Sequence, residues 1–314
     1  MKRKGVLLLL TFICIMALLP GCTGTGEAKP PQSEEQNTKL PATDRAGNEI
    51  SIPDQINRII SISPANTEIL IELGFADKII AADEYSKDIK GLPKGIPLFD
   101  MMAPDAEQMV ALEPDIIYTT GMVLAEGNDP YKPIKDMGIC VAYVSASISI
   151  EGIYEDILFL ARSLGTDSKG ADLVNSMISK IEEIEEKGKT IENKKTVYFE
   201  LAESPNLYSF GTGVFLNEMI EIIGAENVLA DHDMWISISE ENVIASNPDV
   251  IITNVDYIEN PVDEIKSRSG WENVKAVKSN QVYYVDNYAT SHPNHNIIIG
   301  LDQMAKAVYP DLYQ

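Results

Sequence analysis

The order of apolar and polar positions beyond residue 40 predicts strands that alternate with helices. Short runs rich in Ile, Val and Tyr predict seven strands, at 58–62, 78–82, 115–118, 140–144, 195–199, 250–253 and 282–285. Apolar residues at three- and four-residue spacing predict helices at 67–73, 106–112, 131–137, 214–223, 240–245 and 297–308. This alternation favours an α/β fold built on parallel sheets.

Two segments, one in each half of the chain, follow the same pattern. Residues 112–117 and 246–251 both run from a predicted helix, through Pro-Asp, into an apolar strand. Proline ends each helix, and Asp115 and Asp249 are expected to accept hydrogen bonds from the turn backbone. The repetition indicates two lobes of related build.

The stretch between the two halves predicts one long helix. Leu173, Met177, Ile181 and Ile184 recur at helical spacing within Asp167 to Lys194, where charges are dense. We interpret this segment as a helix that joins the lobes; the alternative is a surface helix of a single domain. The predicted boundaries are a first lobe at 41–166, a connecting helix at 167–194 and a second lobe at 195–314.

The N-terminus has the features of a secretory signal. Lys2, Arg3 and Lys4 precede an apolar run that is too short to span a bilayer comfortably. Leu19-Pro20-Gly21-Cys22 resembles the lipobox of bacterial lipoproteins, which implies a signal peptide at 1–21 and acylation of Cys22. Residues 22–40 would then form a lipidated, disordered tether that holds the protein at the extracytoplasmic face of the cell membrane. The alternative is an ordinary secreted protein with a stray cysteine.

The net charge limits the classes of partner, and the cysteine content limits the chemistry of the chain. The formal net charge of −23 argues against nucleic acid and against anionic membrane surfaces as partners. Cys140 lies in a predicted strand, and we interpret it as a small core residue and not as a nucleophile.

Several segments resemble the substrate-binding proteins of metal-chelate ABC importers, which bind siderophores, haem and cobalamin. Residues 57–70 (NRIISISPANTEIL) resemble their opening strand and helix, and 44–47, 224–228 and 239–252 continue the match. The resemblance implies two Rossmann-like lobes joined by a single long helix, with the ligand held in the cleft between them. It also implies a monomer that delivers its cargo to a permease and its ATPase.

The resemblance suggests residues for docking to the permease. In the family an acidic residue on each lobe contacts basic residues of the permease, and Glu68 and Glu241 match these positions. Paired charges at a rim mainly steer and orient docking. The alternative for Glu241 is helix capping, since Ser239 precedes it.

Residues at strand ends and helix starts are expected to line the cleft. Trp235 lies where cobalamin-binding members carry a cleft tryptophan, and aromatic walls suit a macrocycle or a chelate face. The candidate ligand-binding residues are Tyr85, Met101, Met102, Thr120, Met122, Tyr208, Trp235, Tyr288, His292 and His295.

The positions of histidine and arginine indicate the charge of the cargo and whether side chains could ligate its metal. His292 and His295 are candidate metal ligands, although a structural role is the alternative. None of Arg45, Arg58, Arg162 and Arg268 falls at a predicted cleft position, so a neutral or cationic chelate such as a ferric hydroxamate or a corrinoid is favoured. Haem remains open, because Met, His or Tyr could ligate its iron.

Two other classes of function compete with a chelate carrier. An enzyme is disfavoured, because the sequence has no P-loop, no Gly-x-Ser-x-Gly elbow and no His-Glu-x-x-His pair. A carrier of free Ni, Co, Zn or Mn would need histidines and carboxylates that converge from both lobes, and the absence of histidine from the first lobe argues against it. The sequence therefore predicts a lipoprotein without a catalytic cofactor, which binds an iron chelate or cobalamin as cargo.

Overall fold

In the computed structural model, residues 39–314 are described, without the side chains of residues 125 and 126. The predicted signal peptide and lipidated Cys22 lie outside this range, as does almost all of the tether. Within residues 39–314 no helix combines the length and the apolar composition needed to cross a bilayer.

The first lobe is built on a sheet of five parallel strands. These are β1 (Ile59–Ile62), β2 (Ile79–Asp83), β3 (Leu98–Phe99), β4 (Ile116–Thr120) and β5 (Cys140–Val144), in the spatial order β3-β2-β1-β4-β5. Its helices are α1 (Pro64–Glu72), α2 (Ala106–Ala111), α3 (Lys132–Asp136) and α4 (Ile150–Ser163). Every residue of β1 and β4 is buried, which explains why both strands consist mainly of apolar residues and contain no charged one.

The second lobe repeats this plan with a smaller parallel sheet. Its strands are β6 (Thr196–Glu200), β8 (Glu226–Asn227), β10 (Val250–Thr253) and β11 (Val282–Tyr284), in the order β11-β10-β6-β8. A separate antiparallel pair comprises β7 (Tyr208–Phe210) and β9 (Trp235–Ser237). The helices are α6 (Phe215–Ile222), α7 (Glu240–Ser246), α8 (Pro261–Ser267), α9 (Lys275–Lys278), α10 (Asn287–Ser291) and α11 (Ile297–Val308).

A 22-residue helix, α5 (Asp167–Gly188), lies between the two sheets in the chain. Its buried side chains include Met177, Ile181 and Ile184, and they belong to one apolar cluster with Ile59 of β1 and Val197 of β6. The helix therefore packs against the cores of both lobes. The predicted α/β fold with two lobes is confirmed, whereas the lobe boundaries stay a prediction.

The two Pro-Asp turns have the same structure. Asp115 Oδ2 accepts the backbone N–H of Arg58 at 2.9 Å, and Asp249 Oδ2 accepts that of Thr196 at 3.0 Å. In both turns the residue directly before the proline lies in the left-handed region, Glu113 in the first and Asn247 in the second, each with φ of 48°. The internal repeat seen in the sequence is thus a repeat of structure.

Candidate functional site

A cavity of about 350 Å³ is bounded by residues from both lobes. The first lobe contributes segments that follow β4 and β5. The second contributes segments that follow β6 and β10, residues of β7 and β9, the start of α6, and α10 with the residues just after it. The carboxyl ends of parallel strands are the usual location of ligand sites in α/β proteins. The lining residues are Met122, Ala146, Ser147, Ile148, Leu201, Tyr208, Phe215, Leu216, Trp235, Asn254, Asn287, Thr290, Ser291 and Pro293.

The lining of this cavity is uncharged and combines apolar and aromatic side chains with a few polar ones. It contains no Asp, Glu, Lys, Arg or His among the described residues, and its polar groups are amides and hydroxyls. Trp235 is held edge-on by two phenylalanines, with ring centroids 5.9 Å from Phe210 and 6.4 Å from Phe215. The indole therefore has a fixed orientation while remaining partly exposed.

The polar groups of the second-lobe wall are bonded to one another. Asn254 Nδ2 donates to Thr290 Oγ1 at 3.0 Å and to Ser291 Oγ at 3.1 Å. Asn287 Nδ2 donates to the carbonyl of Asn254 at 2.7 Å. This wall is therefore set by its own hydrogen bonds, independently of a ligand.

The first-lobe wall is anchored by a buried carboxylate. Ser147 Oγ donates to Asp156, which also accepts from Arg45 Nε at 2.7 Å. Burial raises the pKa of Asp156, against the opposing charge and hydrogen bond of Arg45. Arg45 thus supports the cavity wall from behind and does not face the cavity.

Three of the ten predicted ligand-binding residues line the cavity: Met122, Tyr208 and Trp235. Thr120 is buried beneath it, and its hydroxyl accepts from Met122 N at 3.3 Å. Tyr85 and Met102 are exposed beyond the ends of β2 and β3, at the same sheet edge. The cavity lining does not include Tyr85, Met101, Met102, Tyr288, His292 or His295.

The two candidate metal-ligating histidines face carboxylates. His292 Nδ1 is 2.7 Å from Glu68 Oε2, and His295 Nε2 is 3.9 Å from Glu72 Oε2. Residues 39–314 contain no group of three or more His, Cys, Asp or Glu arranged to hold a metal ion. The structure therefore does not bring His292 and His295 together as ligands at the cavity.

The two predicted docking carboxylates have different surroundings. Glu241 is exposed at the start of α7, and the pKa of its carboxyl is lowered by its own backbone N–H and by the Ser239 hydroxyl. The Glu68 side chain is only 11% exposed and accepts from three side chains. Glu68 therefore does not present a free carboxylate to a partner.

The internal repeat identifies a different counterpart of Glu241. Glu107 lies two residues after the cap of α2 and seven before Pro114, just as Glu241 lies two after the cap of α7 and seven before Pro248. Glu107 is exposed. The pair related by the two-lobed plan is thus Glu107 and Glu241.

Sequence reasoning missed most of the lining residues. Residues 146–148, Leu201 and Asn254 follow directly after strands β5, β6 and β10. The rule that ligands bind beyond the carboxyl ends of strands could have located them. Phe215 and Leu216 carry no such signal, because they resemble any other core positions of an amphipathic helix.

The fold and the cavity define a class: an α/β binding protein with two lobes, whose parallel sheets meet at one uncharged cleft. Comparison with known proteins identifies the family. The chain belongs to the periplasmic binding protein family, whose profile matches residues 59–289.

The relatives of this chain include components of ABC transporters. YvrC of Bacillus subtilis, an uncharacterized ABC transporter substrate-binding lipoprotein, is 31% identical over 100% of this chain and 99% of its own length. The structure of a possible iron-binding protein from Staphylococcus epidermidis is 28% identical, with a TM-score of 0.71, over 82% of this chain and 100% of that one. The molybdate-bound structure of MolA from Haemophilus influenzae is 24% identical, with a TM-score of 0.75, over 87% and 92%.

Cobalamin-binding and haem-binding proteins also occur among the matches. The chain is therefore the substrate-binding component of an ABC importer, and it is not an enzyme. Such proteins act outside the cytoplasm together with a permease and its ATPase.

Proposed function

We propose that this protein captures a neutral or cationic metal chelate, either a hydroxamate-type iron complex or cobalamin, and delivers it to the permease. The observation that carries the proposal is the uncharged cavity between the lobes, with Trp235 in its wall. Apolar and aromatic surface binds the organic face of a chelate, while amides and hydroxyls orient it.

The positions of the arginines argue against a polyanionic cargo. A polyanion removed from water needs cationic or multiple N–H partners. Each arginine of residues 39–314 is already engaged with protein groups: Arg45 with Glu155 and Asp156, Arg58 with the carbonyls of Leu112 and Glu113, Arg162 with Asp167, and Arg268 with Glu200 and Glu264. This distinguishes the expected cargo from the molybdate held by MolA.

The size of the cavity also bears on the cargo. Ligand pockets that enclose a small molecule measure roughly 300–1,000 Å³, and a volume of 350 Å³ is near the lower limit. A corrinoid or a siderophore complex would therefore insert one face and leave the rest outside. The exposed Tyr85 and Met102 at the same sheet edge supply apolar surface for that outer part.

Haem is the second candidate. Its iron accepts Met or Tyr as a protein ligand, and Met122 and Tyr208 line the cavity from opposite lobes. A haem complex would be recognised by its Soret band, which the other chelates lack.

A binding titration tests the proposal. The body starting at Lys39 would be titrated with cyanocobalamin, a ferric hydroxamate, haemin and molybdate, read by tryptophan fluorescence and thermal shift. We expect a ferric hydroxamate or cyanocobalamin to quench fluorescence and to raise the melting temperature, since a ligand specific to the folded state stabilises it. Binding of molybdate alone would contradict the proposal.

The two tryptophans of the chain provide a matched control. Trp235 lines the cavity, whereas Trp271 is fully buried in the second lobe, where its Nε1 donates to Glu240 at 3.1 Å. Trp235→Phe should remove the quench and weaken binding, and Trp271→Phe should keep both. Equal quenching in the two variants would exclude Trp235 from the site.

We further propose that the mature protein is a monomer anchored by acylated Cys22. The lipobox-like sequence and the similarity to a lipoprotein, YvrC, support this attachment. Labelling of the full-length protein in cells with an alkyne fatty acid should succeed for the wild type and fail for Cys22→Ser. Equal labelling of both would contradict anchoring at this residue.

A further inference from the structure

The carboxylate of Glu68 joins the two lobes. It lies on α1 of the first lobe, and all three of its side-chain donors come from the second. His292 Nδ1 is 2.7 Å from Oε2, Asn294 Nδ2 donates to Oε2 at 2.6 Å, and Asn296 Nδ2 donates to Oε1 at 3.0 Å. Such charge-assisted bonds are stronger than neutral ones.

The loop that holds Glu68 is also a wall of the cavity. Ser291 and Pro293 line the cavity, while the alternate residues His292 and Asn294 bond to Glu68. Asn294 is fully buried, and its Oδ1 accepts from Asn296 N at 2.7 Å. The position of this wall is therefore coupled to the carboxylate of the opposite lobe.

A second carboxylate makes the reciprocal connection. Glu218, on α6 of the second lobe, accepts the backbone N–H of Ile150 at 3.0 Å, at the start of α4 in the first lobe. An anion is favourable at a helix N-terminus. Both partners lie close in sequence to the cavity, because Ile148 precedes Ile150 and Leu216 precedes Glu218 as lining residues.

We propose that Glu68 and Glu218 are positioning residues that hold the two lobes at the separation the cargo requires. Each connection crosses between lobes, and each is attached to a segment that lines the cavity. The two carboxylates would restrict twisting of one lobe against the other about α5. The part of this inference that concerns cargo rests on the proposed function; the part that concerns lobe separation does not.

A distance measurement between the lobes tests the inference without any ligand. Spin labels would be attached at K132C in α3 and K278C in α9, both exposed positions, in the body from Lys39 with Cys140→Ala. Glu68→Gln places an amide NH₂ against at least one of the donors and should broaden the distance distribution. Glu272→Gln, a matched change at an exposed glutamate, should leave the distribution as in the wild type.

A second variant covers loss of folding. His292→Phe keeps a ring at this position, removes one of the three donors and should broaden the distribution less than Glu68→Gln does. An unchanged distribution in Glu68→Gln, or in His292→Phe if Glu68→Gln does not fold, would overturn the inference. A purely structural role would lower the melting temperature without changing the distance.

A kinetic measurement tests the consequence for cargo. Stopped-flow dissociation of a ferric hydroxamate or cyanocobalamin should be about tenfold faster from Glu68→Gln, as expected for losing roughly one net charge-assisted bond, and unchanged in Glu272→Gln. Equal dissociation rates in the wild type and in Glu68→Gln would overturn the link to cargo. Glu68 would then affect only the protein without cargo. If the wild type binds neither probe, the proposed cargo fails, while the distance measurement still decides the inference on lobe separation.

Discussion

Single residues in this protein have roles that only their surroundings decide. Cys140 begins β5 and is partly buried, and burial raises the pKa of its thiol to about 11, in keeping with a structural residue. Arg268 had no predicted partner; it is buried against Glu200 and Glu264, which together raise its pKa in spite of burial. The sequence alone did not predict either of the two carboxylates that pair with Arg268.

His295 should make the fold sensitive to mild acid. Burial lowers the pKa of its imidazole from 6.5, against the opposing charges of Glu72 and Glu68. Below pH 6.5 the unfolded chain binds a proton that the folded chain resists, so this residue's contribution to the free energy of unfolding is lost as the pH falls. Urea unfolding of the wild type and of His295→Gln at pH 7.5 and 5.5 should show a smaller loss in the variant.

The control for this prediction is His232, whose side chain is 47% exposed. His232→Gln should retain the wild-type dependence on pH. The same loss of stability in His295→Gln as in the wild type would show that the imidazole does not titrate against the fold.

At the scale of elements, apolar periodicity was a good guide where a strand or helix is buried on a clear face. The strand predicted at 140–144 and the helix predicted at 297–308 are confirmed with identical bounds. The prediction for the connecting helix was six residues too long: α5 ends at Gly188, and beyond it the hydrogen bonds change to three-residue turns, in which Thr190 N–H donates to the carbonyl of Lys187 at 3.0 Å.

Other elements were missed. For the 14-residue α4, which carries Arg162, no bounds were predicted, although Ser149 caps it by accepting from Gly152 N at 3.1 Å. Strands β7 and β9 are three residues each and pair across an interval that contains α6. Pairing between distant short segments carries no local signal.

The repeated turn predicts a stabilising substitution. Glu113 adopts φ of 48°, a conformation that asparagine tolerates better and that Asn247 adopts in the second repeat. Glu113→Asn should raise the free energy of unfolding by about 0.5–1 kcal/mol, measured by urea denaturation. A decrease would show that the side chain of Glu113 makes a contribution that outweighs the backbone strain.

The reverse change offers a control. Asn247→Glu should destabilise the fold, because it adds the same strain and also removes the acceptor of the Lys275 N–H, 2.9 Å from Asn247 Oδ1. Stabilisation by both substitutions would exclude the conformational explanation.

At the scale of the whole molecule, we expect the acidic surface to provide the contact with the permease. We propose that Glu107 and Glu241 dock, since both are exposed at equivalent places on the two lobes, whereas Glu68 is engaged internally. Exposed charge pairs contribute about 1 kcal/mol or less each and act mainly on the association rate.

Measuring how tightly each variant binds to the permease–ATPase complex in nanodiscs should separate the docking role of Glu107 and Glu241 from the internal role of Glu68. Glu107→Gln and Glu241→Gln should each weaken binding up to about fivefold at low salt, and less at high salt, with cargo affinity unchanged. Glu68→Gln should change cargo dissociation and leave docking of the free protein nearly intact. If Glu68→Gln were the only one of the three substitutions that weakened docking, Glu68 would be the docking residue on the first lobe, as the resemblance to the family suggested.

The sequence by itself determined the α/β class, nearly all the core strands, the repeated Pro-Asp turns and the family, because these depend on local patterns of burial and on motifs a few residues long. It also identified Trp235, Tyr208 and Met122 as cavity residues. Only the tertiary structure decided that Glu68 bonds to His292, 224 positions away, and that Ser147 and Ser291 share one cavity. The physical reason is that a cleft between two lobes is formed by segments distant in the chain, and no local pattern encodes which side chains will meet there.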